Sequence, residues 1–339
     1  MTAAGPGSTA ETVTPEAPLL DVSGLTIRFA SPDGEVRAVE DVSFQIARGE
    51  SLGIVGESGS GKTVTCMSLT WLLPSPPARY VAGRVRFDGR ELRRDDGPML
   101  QSVRGSRIAM VFQNARAALD PVYRIGDQLH EVLAAHGQPR NAATRSLIVE
   151  TLRHCNINNP DAILDRYPHE VSGGVAQRVT IAMALVVRPD IVIADEPTTA
   201  LDLLSQLEVL RLLERIRAEI GCSIVLVSHD LGVVRRIADR VLIMYAGRIV
   251  EQGATAAIFA DPRHPYTQAL LASSQQRLQG GHLYELAGQP PDLAHLPAGC
   301  SFHPRCPSAF ERCRAEIPQP VSFGEGRQAS CFLVAPSDG

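Results

Sequence analysis

The chain has 339 residues, enough for one large domain and a smaller one, and its 44% hydrophobic content suits a well-cored α/β protein. A formal net charge of -4 leaves no basic footprint, so nucleic acid is not an expected partner. No apolar run approaches the roughly 18 residues of a membrane-spanning helix, so the expectation is a cytosolic chain that meets a membrane only through a partner.

Residues 1–18 are rich in Ala, Thr, Pro and Gly, with neither a basic start nor an apolar core. They read as a disordered leader and not as a secretion signal. The run SLGIV then reads as a buried strand and VTCMSLTWLL as an apolar helix, and between them lies GESGSGKT, a phosphate-loop pattern in its proper context. Its candidate nucleotide contacts are Gly56, Ser58, Gly59, Ser60, Gly61, Lys62 and Thr63. Backbone N–H groups of the turn would cradle the β-phosphate, Lys62 would reach the β and γ oxygens, and the Thr63 hydroxyl would bind Mg2+. Of the 33 basic residues only Lys62 is lysine; the rest are arginine. A compact ammonium on a flexible stem is thus present at this one position.

Three further segments share one design. RIAMVFQ ends at Gln113, DIVIADEP carries Asp195 and Glu196 at its end, and CSIVLVSHD ends in Ser228, His229 and Asp230. Short continuous apolar runs predict strands buried on both faces, hence a parallel sheet. Ligands of such sheets sit beyond the strands' carboxyl ends, so Lys62, Gln113, Asp195, Glu196 and His229 should share one crevice. Asp195 suits Mg2+, directly or through water. Glu196 suits activation or positioning of the attacking water, Gln113 suits Mg2+ or that water, and His229 suits the γ-phosphate. Between the first and second of these three segments lies VSGGVAQR, whose serine and paired glycines precede the helix-like VTIAMALVV. This is a second anion-binding pattern, but it has no lysine.

Together these motifs resemble the ATP-binding subunits of ABC transporters. GESGSGKT resembles the Walker A motif, Gln113 the Q-loop, VSGGVAQR the ABC signature and IVIADEP Walker B; TTALD with Asp202 resembles the D-loop, and His229 the switch histidine. The resemblance covers residues from about 19 to 260 and continues beyond. It implies an ABC-type P-loop fold with a mixed β-sheet core, an antiparallel β subdomain and a helical subdomain at about 115–185. It also implies a head-to-tail dimer with a homologous ATPase chain, in which Ser172, Gly173, Gly174 and Gln177 serve the ATP held by the partner's Walker A loop. Phe29, in LTIRF, takes the place of an adenine-stacking aromatic; a core phenylalanine on an alternating strand is the other reading. The chain departs from the family at Val171, where leucine is common, and at Val175 and Ala176. It departs again at NARAALDP after Gln113.

The tail, residues 261–339, resembles the C-terminal extension of oligopeptide/dipeptide importers in DPRHPYTQALL, GQPPDL and GCSFHPRCPSAFERC. Cys66, Cys155 and Cys222 read as small apolar fillers. Cys300, Cys306, Cys313 and Cys331 are spaced by five, six and seventeen residues, without the tight pairs of a structural zinc site. Zinc and metal-free thiols stay open on spacing alone. The resemblance points to a [4Fe–4S] cluster that would staple a core-poor extension. It further implies a peripheral ATPase at the cytoplasmic face of the membrane. The implied partners are a second ATPase, two transmembrane permeases and an extracellular or periplasmic substrate-binding protein, and the implied cargo is di- or oligopeptides. Nickel, glutathione or cationic peptides are the alternatives within the branch. A soluble ABC ATPase of translation or DNA repair, and a P-loop kinase, are rivals that the importer-like tail and the signature respectively disfavour.

Overall fold

Ser51–Val55 is buried at every position, which is what a strand covered on both faces requires. The computed structural model describes residues 17–32, 34–199, 201–279, 286–324 and 326–334. All but the last two residues of the expected leader therefore lie outside the described residues.

The chain opens with β1 (Leu20–Ser31) and β2 (Gly34–Ile46), an antiparallel pair, followed by β3 (Ser51–Val55) and helix α1 (Lys62–Ser68). Next come β4 (Ala78–Phe87), β5 (Arg90–Glu91), α2 (Gly97–Val103) and β6 (Ile108–Val111). Five helices precede the next strand: α3 (Ala115–Ala118), α4 (Ile125–Ala135), α5 (Ala142–His154), α6 (Pro160–Leu164) and α7 (Gly173–Leu185). Then follow β7 (Ile191–Asp195), α8 (Leu203–Ile220), β8 (Ser223–Ser228), α9 (Leu231–Ile237), β9 (Arg240–Tyr245) and β10 (Arg248–Ala254). The tail adds α10 (Thr255–Ala260), α11 (Pro265–Gln279), α12 (Glu311–Ala315), β11 (Val321–Phe323) and β12 (Arg327–Ala329).

Two sheets result. A four-stranded antiparallel sheet has the order β2-β1-β4-β5, and an eight-stranded mixed sheet has the order β11-β12-β10-β9-β3-β8-β7-β6. Strands β6, β7, β8, β3 and β9 run parallel, as the continuous apolar runs predict. Alternation along these strands divides the interior in two. Ile191, Ile193, Val225 and Val227 face the antiparallel sheet, whereas Val192, Ala194, Ile224 and Leu226 face the helices. The expected α/β architecture, with its mixed core, antiparallel sheet and helical insertion, is present. Among the described residues no helix is long and apolar enough to cross a membrane.

Two expectations need correcting. The helix after the phosphate loop ends at Ser68 and does not run through VTCMSLTWLL. Trp71 adopts a positive φ of 57°, stacks on Tyr80 at 3.8 Å and donates its indole N–H to the Leu92 carbonyl. Docking this large ring on β4 overrides the helical pattern, and prolines 74, 76 and 77 bar its resumption. The tail, for its part, is not core-poor. Strand β12 pairs with β10, so the hairpin extends the main sheet. Tyr266 and Phe302 are fully buried against Tyr245, with ring centroids 4.7 to 5.4 Å apart. At ~150–250 Å² per ring and ~25 cal/mol per Å², each contributes about 4–6 kcal/mol as an upper bound. The extension draws its core from the main sheet itself.

One carboxylate fastens that junction. Glu251 on β10 is wholly buried; it accepts the backbone N–H groups of Arg263 (2.8 Å) and His264 (2.9 Å), and Arg327 of β12 lies 3.6 Å away. His264 is buried too, accepts the Tyr266 N–H at Nδ1, and is pushed down by burial to about 3, so it is neutral in the folded chain. Glu251→Ala leaves two buried N–H groups unpaired and removes the carboxylate facing a guanidinium, and should cost roughly 3–5 kcal/mol. Chemical denaturation of the full chain measures it, and a loss below about 1 kcal/mol would show that other contacts hold the tail.

Candidate functional site

Parallel register sets the site. Val111 pairs with Ala194, Asp195 with Val227, and Val55 with Ser228, so the carboxyl ends of β6, β7, β8 and β3 lie level. The turn after β3 is shaped by two glycines with different tasks. A Cβ on Gly56 would lie 2.2 Å from the Met244 carbonyl oxygen, so that position demands close backbone approach. Gly61 has φ 99°, where side chains are strained, and a Cβ there would meet the Ala38 carbonyl at 2.4 Å.

Lys62 follows at the start of α1, with only 5% of its surface exposed. Its Nζ donates to the carbonyls of Gly56 (2.8 Å) and Glu57 (2.9 Å), folded back into its own loop. Burial pushes the ammonium below its ordinary value, and the charges of Glu196 and Asp195 partly offset that. Asp195 is 2% exposed, and burial raises its carboxyl above the usual range although the neighbouring Thr63 hydroxyl pulls it the other way. Its Oδ1 has no partner, and neither does the buried Ser60 hydroxyl. An orphaned carboxylate oxygen beside a threonine hydroxyl is a donor set that fits Mg2+.

Glu196 is the hub of the second half. Its Oε2 accepts from Gln113 Nε2 and from Thr199 Oγ1, both at 2.9 Å, and its Oε1 lies 3.4 Å from His229 Nδ1. Its backbone has φ 46°, and its N–H donates to the Val227 carbonyl at 3.0 Å. A non-glycine residue in this region stores about 1–3 kcal/mol, held here by the neighbouring strand. The polar strand ends expected to converge therefore do so: Gln113, Glu196 and His229 form one cluster, with Asp195, Thr63 and Lys62 beside it. Thr199, which closes on Glu196, is not marked out by the strand-end pattern; its place in TTALD, three residues after Glu196, is the signal the sequence offers.

The remaining candidates lie elsewhere. Phe29 is half-buried on β1 between Val36 and Ala78. Ser172 is exposed and caps α7 by accepting the Val175 N–H at 3.3 Å, with Gly173 and Gly174 partly exposed behind it. Among the described residues no hydrogen bond or ion pair joins this turn to the phosphate loop. Gln177 is instead buried, its Nε2 unpartnered. Asp202 caps α8, accepting from the Ser205 N–H (3.0 Å) and hydroxyl (2.7 Å), which hold its carboxyl below the ordinary range.

Cys300, Cys306, Cys313 and Cys331 line a single small cavity with His264, Phe302 and Phe332. The Cys300 N–H donates to the Cys313 carbonyl at 2.8 Å, binding the second Cys-bearing segment to the first. Burial and the neighbouring thiols push Cys300 up to about 11, and burial raises Cys306 and Cys331. Among the described residues no three His, Cys, Asp or Glu side chains are grouped closely enough to hold one metal ion. The four thiols share a cavity without forming a ready-made single-ion site.

Residues 39–199 match the family described as ABC transporter, and residues 250–313 match the oligopeptide/dipeptide transporter C-terminal region. A probable peptide ABC transporter ATP-binding protein of Sinorhizobium fredii is 44% identical over 93% of this chain and 94% of its own length. The chain belongs to the ABC transporter ATP-binding family, in its oligopeptide/dipeptide branch. The dipeptide transport ATP-binding protein of Bacillus subtilis is 42% identical to this ABC ATP-binding chain, over 93% of this chain and 94% of its own length. The oligopeptide transport ATP-binding protein of Salmonella typhimurium is 43% identical, over 93% of each. Among solved structures, an ATP-binding cassette dimer bound to ADP and Pi superposes with a TM-score of 0.62 at 26% identity, covering 70% of this chain and 98% of its own.

The loop geometry makes a direct test. Gly61→Ala forces a side chain into a left-handed position and against the Ala38 carbonyl, and should cost at least ~1–3 kcal/mol while abolishing ATP binding. Denaturation midpoints and nucleotide titration measure both, and an unchanged midpoint with intact binding would contradict that loop geometry.

Proposed function

We propose that this chain is the ATP-hydrolysing subunit of an ABC importer for di- or oligopeptides. The observation that carries the reading is the convergence on Glu196 of Gln113, Thr199 and His229 beside Lys62 and Asp195, within a chain that matches peptide transport ATP-binding proteins along nearly its whole length.

In this reading Lys62 exchanges the Gly56 and Glu57 carbonyls for the β and γ oxygens of ATP. Thr63, Asp195 and Gln113 would hold Mg2+, which when bound neutralises charge on the transferring phosphate. Glu196 orients the attacking water and takes its proton, in hydrogen-bond reach of Gln113 and close to His229. His229 then turns to the γ-phosphate, so its position reports the presence of that group. Phe29 stacks on adenine. Gly56, Ser58, Gly59, Ser60 and Gly61 supply the loop.

The exposed Ser172–Gly174 turn, at the positive end of the thirteen-residue α7, serves ATP held by a second ATPase chain packed head to tail. Asp202 stands at that seam. Two permease subunits dock on the helices between Gln113 and β7, and an external binding protein delivers peptide to them. The chain acts as a peripheral subunit on the cytoplasmic face. The ATP-binding portion spans about 19–260, with residues 115–185 as its helical part and 261–339 as its extension.

We also assign the shared thiol cavity to a [4Fe–4S] cluster. Zinc draws its ligand atoms tightly around one ion, with Zn–S near ~2.3 Å, whereas a multi-iron cluster spans a wider set of thiolates. What supports the reading is that all four thiols line one small cavity. When bound, it supplies a positively charged centre that lowers the thiols burial has raised.

Glu196→Gln should bind ATP normally in the assembled transporter but turn it over at least ~10²-fold more slowly, the span of a lost general base. Near-normal hydrolysis would remove Glu196 from that role. Anaerobic purification should yield about four iron and four sulfide per chain with broad visible absorption. One zinc per chain instead would overturn the cluster.

A further inference from the structure

Glu57 lies in the phosphate loop, directly after Gly56, yet its side chain points away from nucleotide chemistry. The Glu57 carboxylate accepts both arms of the Arg305 guanidinium, at 2.6 Å and 3.0 Å. The Glu57 backbone N–H donates to the Tyr266 hydroxyl at 2.9 Å. Its carbonyl receives Lys62. One loop residue is thus gripped at three points, two of them by groups roughly 200 positions or more along the chain.

The grip is built and not incidental. The Arg305 side chain is only 5% exposed, and its N–H groups also reach the Ala287 carbonyl (3.0 Å), the Tyr245 hydroxyl (3.4 Å) and the Leu286 carbonyl (3.4 Å). A forked guanidinium–carboxylate pair with its guanidinium buried fixes orientation as well as distance, which an ammonium would not. The backbone that carries Arg305 is equally fixed. It closes a 3-10 turn, His303–Arg305, in which the His303 N–H donates to the Cys300 carbonyl and the Cys306 N–H to the His303 carbonyl. Tyr266 is seated between Tyr245 and Phe302, and burial raises its hydroxyl far above the ordinary value, so it stays protonated and accepts through oxygen.

We propose that Arg305 and Tyr266, supplied by the C-terminal extension, are positioning residues for the phosphate loop, holding Glu57 so that the loop stays formed when Lys62 leaves its carbonyl for ATP. The inference rests on the ATPase reading above and names an added part of the same site. Two of the three Lys62 N–H groups are spent on the loop carbonyls, so Lys62 cannot keep both and also reach the β and γ oxygens. The extension's two contacts are independent of Lys62, so they persist through that exchange. The extension thereby acts on ATP affinity, and not on the chemical step at Glu196.

The test uses the complete transporter, with both ATPases and the permeases, and ATP as the probe. Tyr266→Phe keeps the ring in its aromatic seat and removes only the hydroxyl; Arg305→Met removes the fork. Each should raise KM for ATP on the order of tenfold, with kcat within about twofold, the scale expected for a lost hydrogen bond to a buried or charged group. The exchanged pair Glu57→Arg with Arg305→Glu should recover part of the loss that Arg305→Met shows. Visible absorption of each variant tells whether the thiol site is still filled, and Tyr266→Phe isolates the loop contact from it. If both single variants leave KM within about twofold, the proposal fails. It fails equally if kcat falls and KM does not, or if the exchanged pair is no better than Arg305→Met. An unmodified assembly that hydrolyses no ATP would instead overturn the transport reading, so the two failures are distinguishable.

Discussion

The level termination of four parallel strands is the constraint from which the rest of the site derives. Hydrogen bonding along β6, β7, β8 and β3 leaves one register in which Val111, Ala194, Leu226 and Gly53 stand side by side. Because side-chain direction alternates, slipping one strand by a residue would turn Asp195 or Ser228 to the opposite face. Apolar packing on both sides forbids that slip, since Ile193 and Val225 fill one layer while Val192 and Leu226 fill the other. The polar groups that gather beyond the sheet are therefore positioned by the hydrophobic interior.

Strain and unpaired polarity are also found where that register ends. Glu196 holds a left-handed backbone, Gly61 another, and Asp195 and Ser60 each keep a buried oxygen without a partner. Costs of this kind survive in a fold only when the surroundings over-determine them, and here the surroundings are two packed layers. The thirteen-residue α7 is different in character. It presents its capped end, Ser172, to solvent while burying Val179, Ile181 and Ala182, so the helix is rigid and its terminus is open.

Much of this was legible in the residues. Continuous apolar runs ending in Gln113, Asp195–Glu196 and Ser228–His229 announced strands and a shared crevice, because a run without alternation is what a doubly covered strand needs. Tertiary packing decided what was not legible. The helix after Lys62 stops where Trp71 finds Tyr80, a contact set by a distant strand. Gln177, expected with the signature turn at a partner's nucleotide, lies inside because the helix turns that position toward the core. The tail's composition suggested a weakly cored appendage, and nothing local could reveal that its rings would fill space beside Tyr245 or that Arg305 would reach Glu57. Pairings across so long a stretch of chain leave no trace in the spacing of either partner.

The hairpin β11–β12 has a consequence for the sheet it joins. Without it, β10 would be the outermost strand, with Glu251 and Gln252 offering bare amides and carbonyls to any passing chain. The added strands are three residues each, too short to recruit a neighbour in their turn. A chain cut before residue 321 would keep every residue of the nucleotide crevice, yet leave β10 as an uncovered border of the sheet.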